Sequence, residues 1–277
     1  RSLVGSEMCI RDRGWTYDGN AHANPLVTVT EGALLPGDSL VATATGSVTD
    51  VSDTHSGNNP IALGYQIMHG AEDVTANYAI TAVAGTLTIN PKAVTVTAQD
   101  KAFIYTGAAQ SWDKYDVDGL VGTDALTAVV EGSITFPSES PVVNEVKSHT
   151  FTTGTPGNYT VSYVNGELTM TNANVAITIT AASQGWTYDG NAHANPLVTV
   201  TEGTLLPGDT LVATATGSVT DVSDTHSGNN PIAAGYQIMH GAEDVTANYA
   251  ITAVAGTLTV NPKAVTITTG SANKAYD

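Results

Sequence analysis

The chain has 277 residues, of which nine are lysine or arginine and 26 are aspartate or glutamate, so its formal net charge at pH 7 is −17. A surface this acidic repels nucleic acid phosphates and anionic lipid headgroups, and we expect neither as a partner. The single cysteine excludes an internal disulfide within this chain. No apolar run is long enough to cross a bilayer, so we expect no direct membrane insertion.

Residues 1–13 differ in character from everything that follows. They hold all three arginines and the only cysteine, Cys9, and they have no counterpart upstream of the second copy described below. Residues 3–13 resemble the translated read-through of a sequencing adapter. We expect this segment to be a non-native leader and exclude it from arguments about the fold.

From Gly14 onwards the sequence repeats itself at an offset of 171 residues. Residues 14–97 and 185–268 align without a gap. A period this long, punctuated by turn residues, indicates whole domains in tandem, so function belongs to the array more than to one active site. The two copies differ only at Ala33/Thr204, Ser39/Thr210, Leu63/Ala234, Ile89/Val260 and Val96/Ile267.

Short runs of β-branched residues alternate with threonine along the chain. The alternating runs are residues 27–30, 94–97, 177–180 and 265–268. Alternation with a period of two predicts β-strands, and the Pro, Gly, Asn and Asp clusters between the runs predict turns. No stretch has a convincing helical period. We therefore predict an all-β fold of small tandem β-sandwich domains, immunoglobulin-like in outline, with β-grasp-like repeats as the alternative.

Short joints divide the array into repeats, with a proline at 91 and at 262 and the residues Thr-Asn-Ala-Asn at 171–174. Repeat A covers residues 14–91 and lacks its first strand, repeat B covers 92–173, and repeat A′ covers 174–262. Residues 263–277 are expected to be the first strand of a truncated further repeat. Because proline restricts its own backbone and that of the residue before it, we expect a semi-rigid rod in which the neighbouring repeats of the same chain are partners.

Several motifs recur at fixed places in the repeats. They are Trp-Thr-Tyr-Asp-Gly at 15–19, Leu-Leu-Pro-Gly-Asp at 34–38, Ala-Asn-Tyr at 76–78 and Gly-Thr-Leu-Thr-Ile-Asn-Pro at 85–91, with Tyr-Thr-Gly at 105–107 and Gly-Thr-Asp at 122–124 in repeat B. Together they resemble the MBG ("mostly beta, glycine-rich") domains, including the Tyr-Asp-Gly type, of large bacterial surface adhesins. The resemblance covers residues 14–277.

The resemblance implies an exported array at the bacterial cell surface, acting as the stalk of an adhesin-like protein that projects a binding tip. Host or neighbouring-cell surface molecules would then be bound by domains outside this fragment. Two alternatives stay open: the repeats themselves bind a glycan, a protein or an identical array, or they are accessory modules of an enzyme. The family's repeats supply no catalytic residue that could be transferred to this chain.

Two sets of tyrosines are the main candidate residues, and we predict a structural role for both. One set stands two residues before a glycine, where turn packing explains it better than ligand stacking. Its members are Tyr17 with Gly19, Tyr105 with Gly107, and Tyr188 with Gly190. The other set follows an asparagine, as does the corner tyrosine of sandwich domains, whose hydroxyl bonds to the backbone. Its members are Tyr78, Tyr159 and Tyr249.

Enzyme chemistry finds no support in the sequence, which has no nucleophile elbow, zinc-protease motif or phosphate loop. We expect no catalytic residue, cofactor or bound metal. The metal alternative is calcium at the oxygen-rich loops 50–59 and 113–119, through Asp50 and Asp53 in the first. Neither loop matches the twelve-residue calcium-binding pattern, and solvated turns explain both more simply. Trp15 and Trp186 are expected to pack at domain interfaces.

Overall fold

The structure is a computed structural model that describes residues 14–274. The expected leader at 1–13 and the last three residues of the expected further repeat lie outside the described residues. Within the described range the chain forms 22 β-strands and six short 3₁₀ helices, and no α-helix. No helix of this part of the chain is long and apolar enough to span a membrane.

The strands are short. In chain order they are β1 (Gly14–Thr16), β2 (His22–Ala23), β3 (Asp38–Val41), β4 (Ser47–Val48), β5 (Gln66–His69), β6 (Glu72–Asp73), β7 (Thr88–Asn90), β8 (Lys92–Ala98), β9 (Lys101–Ile104), β10 (Tyr115–Asp118) and β11 (Ala125–Glu131). They continue with β12 (Val142–Thr153), β13 (Tyr159–Val164), β14 (Gly166–Thr171), β15 (Val175–Ala181), β16 (Gln184–Thr187), β17 (Val198–Glu202), β18 (Asp209–Val212), β19 (Gln237–His240), β20 (Glu243–Asp244), β21 (Tyr249–Val254) and β22 (Leu258–Asn261). The 3₁₀ helices are Val51–Asp53, Thr75–Asn77, Pro137–Glu139, Pro156–Asn158, Val222–Asp224 and Thr246–Asn248.

The chain divides into two compact units that do not coincide with the sequence repeats. Unit 1 contains the residues up to 99 together with 113–131 and 144–166, and unit 2 contains 100–112, 132–143 and the residues from 167 onwards. Each unit therefore holds one A-type repeat and part of repeat B. The repeat boundaries themselves stay a prediction from the sequence pattern.

Strand β8 is the central strand of a three-stranded sheet in unit 1. It pairs antiparallel with β10 and parallel with β13. Because side chains alternate between the faces of a strand, Val94 and Val96 both lie on the core face, where each is 0% exposed. In the same unit β1 pairs parallel with β7 and β11 pairs antiparallel with β12, while the smaller sheets are β2-β4 and β3-β5-β6.

Unit 2 repeats this plan around β15. That strand pairs antiparallel with β17 and parallel with β21, with Ile177 and Ile179 buried on its core face. Strand β16 pairs parallel with β22, and β9 pairs parallel with β14. Strands β18, β19 and β20 form a further small sheet. The all-β, sandwich-like fold predicted from the sequence is confirmed, and the β-grasp-like alternative is not supported, because no α-helix covers a sheet within residues 14–274.

The two larger hydrophobic cores are each built from two successive repeats. In unit 1, repeat A contributes Tyr17, Val48, Leu87 and Ile89, and repeat B contributes Val94, Val96, Ala98, Leu126, Val146 and Tyr159. In unit 2, repeat B contributes Tyr105, Ile134, Leu168 and Met170, and repeat A′ contributes Ile177, Ile179, Ile238, Val245 and Tyr249. We call the part of a repeat with its first alternating strand and its Asn-Tyr motif the front half. The part with the Tyr-x-Gly turn and the Gly-x-Leu-Thr-x strand is the back half.

Two of the four alternating runs predicted as strands form none, which corrects the sequence analysis. Residues 27–30 are not a strand, although their counterpart β17 is, and the same holds for residues 78–83 against β21. In repeat A′ these two segments pair with β15, whereas no described strand pairs with either segment of repeat A. A strand needs a neighbour that satisfies its backbone groups, so the partner decides the structure.

The second correction concerns residues 265–268. They are near-identical in sequence to residues 94–97, yet they form no strand in the described structure. Val265 is 78% exposed and Ile267 is 90% exposed, whereas their counterparts Val94 and Val96 are 0% exposed. The difference has the same cause, because β8 lies between β10 and β13 while no described strand pairs with residues 265–268.

Candidate functional site

A buried carboxylate in unit 2 brings together three side chains from distant parts of the chain. Asp209 opens β18, and its side chain is 0% exposed. Its Oδ1 atom accepts a 2.7 Å hydrogen bond from the Tyr105 hydroxyl and lies 2.7 Å from Nδ1 of His240. Its Oδ2 atom accepts a 2.5 Å bond from the Tyr249 hydroxyl. We call Tyr105, Asp209, His240 and Tyr249 the tyrosine joint.

The tyrosine joint connects the back half of repeat B, through Tyr105, to the front half of repeat A′. A buried carboxylate is costly unless donors satisfy it, and here three polar side chains surround it. Burial, followed by the hydrogen bond to Asp209, raises the pKa of Tyr105, and the same two causes raise the pKa of Tyr249. Both hydroxyls therefore remain protonated donors at neutral pH.

Tyr105 is placed by the strand before it and by the turn after it. It follows β9 directly, and its backbone N–H donates a 3.0 Å hydrogen bond to the carbonyl of Thr171. Gly107 then turns the chain with a φ of +77°, and a Cβ atom there would lie 2.3 Å from the carbonyl oxygen of Pro207. Glycine is therefore required at this turn for its backbone conformation and for the close approach of repeat A′.

Asp209 and Tyr249 are held by a shared loop. The backbone N–H of Asp209 donates to the carbonyl of Leu206 at 3.1 Å, which closes the Pro-Gly turn. The N–H of Leu206 in turn donates to the Tyr249 hydroxyl oxygen at 2.9 Å. The same hydroxyl thus accepts from the backbone and donates to Asp209, and it anchors the loop that presents the carboxylate.

Unit 1 has a related arrangement between repeats A and B. The Tyr159 hydroxyl donates to Asp124 at 2.5 Å and accepts from the N–H of Val121 at 3.1 Å. Tyr17 of repeat A packs edge-on against Tyr159, with ring centroids 5.3 Å apart. Edge-to-face aromatic packing is favourable beyond the area that it buries. The tyrosine of the preceding repeat therefore makes an aromatic contact in unit 1, whereas in unit 2 it makes a hydrogen bond.

Asn158 adds a polar link between repeats A and B. Asn158 is buried, and only 1% of its surface is exposed. The Oδ1 atom accepts a 2.9 Å bond from the N–H of Val51, and the Nδ2 group donates a 2.6 Å bond to the carboxylate of Asp50. One amide side chain therefore satisfies a backbone donor and a carboxylate of the preceding repeat.

The front half of repeat A has the same residues without an incoming tyrosine. The Tyr78 hydroxyl donates to Asp38 at 2.5 Å and accepts from Leu35 N–H at 3.0 Å, and His69 Nδ1 lies 2.6 Å from Asp38. The hydrogen bond from Tyr78, and then that from His69, lowers the pKa of Asp38. At the other end Tyr188 is 40% exposed, whereas Tyr105 is 1% exposed.

The two carboxylates considered for calcium have protein partners. Asp53 accepts hydrogen bonds from the backbone N–H groups of Thr49 and Asp50, and the latter bond is the largest cause of its lowered pKa. Asp50 bonds to Asn158, as described above. Among residues 14–274 no group of three or more His, Cys, Asp or Glu side chains is arranged to hold a metal ion.

The two tryptophans occupy equivalent places in repeats A and A′. Trp15 stacks on His22 with centroids 4.9 Å apart, and Trp186 stacks on His193 at 4.8 Å. Trp15 packs against the core of unit 1, and Trp186 packs against a smaller cluster of Val219, Leu258 and Val260. Both indole rings are therefore half-buried against protein.

Sequence reasoning singled out the tyrosines and overlooked their partners. Asp209, Asp124 and Asn158 all lie within motifs that the sequence displays, since the first two end a turn and the third precedes a tyrosine. One feature of the sequence could have identified these acidic residues. In each repeat an aspartate directly follows a Pro-Gly or Gly-Thr pair. Nothing in a linear pattern indicates that this acid meets the tyrosine of the preceding repeat.

With the fold and the tyrosine joint described, the chain is defined as an all-β array of tandem repeats. Residues 94–169, which lie within the predicted repeat B, match the family model of the MBG domain (YGX type). Among solved structures, the crystal structure of the I9–I11 tandem from titin matches at 12% identity and a TM-score of 0.22, over 90% of this chain and 96% of that chain. At that score the likeness supports no argument. The comparison with curated proteins gave no match.

Proposed function

We propose that this chain is a structural segment of the stalk of a large exported bacterial adhesin-like surface protein, where it projects a binding tip away from the cell. The observation that carries the proposal is the tyrosine joint, in which one repeat inserts a buried tyrosine into the next. A hydrogen bond to a buried carboxylate restricts the orientation of the two repeats that supply the donor and the acceptor. A flexible linker imposes no such restriction.

The shared cores support the same function. A core formed by two repeats can be lost only when both of them open, so successive repeats stabilise one another, as in solenoid arrays. A stalk under load benefits from this coupling. The net charge of −17 keeps such a surface soluble and limits adhesion between neighbouring stalks. The MBG match of repeat B agrees with a place in a surface adhesin.

The proposal includes no catalysis and no cofactor, and the partners within the chain are its own neighbouring repeats. Surface molecules of a host or a neighbouring cell would be bound elsewhere in the complete protein. A repeat that binds a ligand itself would display the same exposed aromatic side chain in each copy. Trp15 and Trp186 are instead half-buried against protein in both copies, which favours the stalk.

Small-angle scattering on the full chain tests the proposal. A compact single body of this length has a radius of gyration of about 18 Å. We expect a clearly larger value that is the same with calcium and with chelator, because the joints consist of side chains alone. Dimensions near those of a compact body would contradict the stalk, and an extension that appears only with calcium would assign the stiffness to metal-bound loops.

A pair of variants links the scattering result to the joint. Tyr105→Phe removes the hydroxyl that reaches Asp209, and Tyr188→Phe makes the same change at an exposed site. We expect the first to broaden the distribution of interatomic distances and the second to leave it unchanged. Equal profiles for the two variants would show that the joint does not set the stiffness.

A further inference from the structure

The back halves of repeats A and B contain equivalent 3₁₀ helices with different residues at their start. In both helices the last residue is acidic, and its carboxylate accepts hydrogen bonds from the two backbone N–H groups before the helix. Matching these two capping patterns pairs Asp50 with Phe136, Val51 with Pro137 and Asp53 with Glu139. At the same place, repeat A therefore has an Asp-Val pair and repeat B has a Phe-Pro pair.

In unit 1 the Asp-Val pair of repeat A meets a buried asparagine of repeat B. The N–H of Val51 donates to Oδ1 of Asn158, and Nδ2 of Asn158 donates to the carboxylate of Asp50. Because an unpaired buried amide is costly, both bonds contribute to the fit between the two repeats. The Asp-Val pair therefore supplies a donor and an acceptor that this asparagine uses.

In unit 2 the equivalent asparagine has different partners. Asn248 is buried at 2% exposure, but Pro137 has no N–H and the side chain of Phe136 has no acceptor. Its Oδ1 atom instead accepts a 3.3 Å bond from the N–H of Ala173, and its Nδ2 group donates a 3.1 Å bond to the carbonyl of Val245. The bonds that Asn158 makes to the preceding repeat therefore depend on the Asp-Val pair.

The Phe-Pro pair of repeat B meets a histidine of repeat A′. The ring of Phe136 stacks on Tyr105 with centroids 6.3 Å apart, and it packs edge-on against His240 at 5.3 Å. His240 lies opposite Asp209 in the pairing of β18 with β19. Its imidazole therefore contacts the aromatic ring of repeat B and also holds the carboxylate that accepts from Tyr105.

The front half of repeat B has no side chain at the position of that histidine. The pairing of β11 with β12 places Gly154 opposite Asp124. Gly154 has a φ of +89°, and a Cβ atom there would lie 2.4 Å from Cγ of Asp124, so the position requires glycine. A Phe-Pro pair docked on this front half would find no imidazole to contact, and it would leave Asn158 without its two partners.

We infer that the back half of repeat B is selective for a front half of A type, so that a B repeat is followed by an A-type repeat and not by a second B. The contact of Phe136 with His240 favours the A-type neighbour, and the unpaired Asn158 penalises the B-type one. Specificity arises from such a difference between two partners. The inference concerns repeat order and does not depend on export or on a stalk, so either can fail alone.

A double substitution in the full chain builds the disfavoured contact. Asp50→Phe with Val51→Pro gives repeat A the B-type pair, so Asn158 loses both partners. Asp221→Phe with Val222→Pro makes the same change in the same local sequence of repeat A′, where both residues are exposed. In denaturant unfolding we expect the first variant to raise the unfolding equilibrium constant at least about fivefold more than the second. Equal effects would overturn the inference, because the loss would then lie within the 3₁₀ helix.

Asn158→Ala in two backgrounds identifies the cause of that loss. In the parent chain this substitution removes both bonds to repeat A. In the chain with Asp50→Phe and Val51→Pro the amide has no such bond left to lose, so we expect the substitution to cost little or to stabilise. The same loss in both backgrounds would show that Asn158 does not distinguish the preceding repeat, and it would overturn the inference.

A second cycle tests the contact that favours the A-type neighbour. His240→Gly places the B-type residue in repeat A′, and His69→Gly is the matched control in the same Gln-Ile-Met-His strand of repeat A, where the side chain is 58% exposed. We expect His240→Gly to raise the unfolding equilibrium constant at least about fivefold more than the control, and Phe136→Ala to cost less in the His240→Gly chain than in the parent. Additive effects of His240→Gly and Phe136→Ala would overturn the role of this contact in selecting the neighbour.

Discussion

The hydroxyl of Tyr105 lies 2.7 Å from a carboxylate oxygen of Asp209, although 104 residues separate the two in the chain. Each residue belongs to a motif that is read locally as a turn. The hydrogen bond between them links a turn of repeat B to a turn of repeat A′. Within unit 2 this connection therefore joins the back half of repeat B to the front half of repeat A′.

Removal of the Tyr105 hydroxyl should destabilise unit 2. Tyr105→Phe leaves Asp209 buried with one donor fewer, and such a loss costs about 1–3 kcal/mol. Tyr188→Phe, at the equivalent exposed position, should change the stability little. Differential scanning calorimetry in dilute solution checks both. A thermal shift of equal size in the two variants would exclude a special role for the hydrogen bond to Asp209.

The turn glycines offer a matched pair with the same backbone conformation. Gly107 and Gly190 have φ values of +77° and +82°, but only Gly107 has the carbonyl of Pro207 where a Cβ would lie. Gly190→Ala should cost about 1–2 kcal/mol from the left-handed conformation alone.

Gly107→Ala adds a clash with the next repeat and should cost clearly more, since the backbone of residues 206–208 must move. Denaturant unfolding of the two variants gives the comparison. If the two substitutions were equally costly, the close contact at Pro207 would not contribute.

Asn158→Ala should weaken unit 1 by about 1–3 kcal/mol, because it leaves the N–H of Val51 and the carboxylate of Asp50 without their partner. Asn77→Ala is the control, since Asn77 occupies the equivalent place in repeat A and is exposed. Chemical denaturation followed by circular dichroism measures the difference. A control as destabilised as Asn158→Ala would mean that the asparagine acts within its own repeat.

Alkaline pH should open the joints. Burial and hydrogen bonds to carboxylates raise the pKa of Tyr105, Tyr159 and Tyr249 above that of a free tyrosine, which is about 10. A group whose folded pKa is raised contributes stability that is fully present below its unfolded pKa and is lost as the pH rises through the folded value. The midpoint temperature of thermal unfolding should therefore decrease as the pH is raised above about 10.

Ultraviolet difference titration of the parent chain against Tyr105→Phe isolates the ionisation of Tyr105. We expect the difference signal to appear only above the range of a free tyrosine and together with unfolding. Ionisation of Tyr105 near pH 10 in a chain that remains folded would contradict a buried, carboxylate-bound hydroxyl.

The alternating pattern predicted strands correctly where a described neighbouring strand pairs with the run, and wrongly where none does. The alternating runs at 94–97 and 177–180 became the central strands β8 and β15, whereas those at 27–30 and 265–268 became no strand. All four have the same local preference. The alternating pattern indicates which face of a strand is apolar. The strand itself is stabilised by pairing with neighbouring strands in a sheet.

The candidate site was predictable in part for a similar reason. The repeated Tyr-x-Gly and Asn-Tyr motifs directed attention to the right aromatic residues, because bulky side chains at fixed offsets from turns are conspicuous in a sequence. Asp209 could not be separated from the other acidic residues, since burial and the approach of Tyr105 are properties of the assembled joint. The structural role predicted for the tyrosines stays a prediction until their variants are measured.

Hydrogen–deuterium exchange on the full chain tests most directly whether a neighbour's strand decides the fold of a half-repeat. Peptides that cover residues 26–34 and 78–89 differ in mass from their second-copy counterparts through Ala33/Thr204 and Ile89/Val260. In dilute solution we expect the first-copy amides at 27–31 and 78–83 to exchange much faster than those of β17 and β21, which pair with β15. Equal protection of the two copies would contradict the account, because the half-repeat would then form its sheet without the strand of its neighbour.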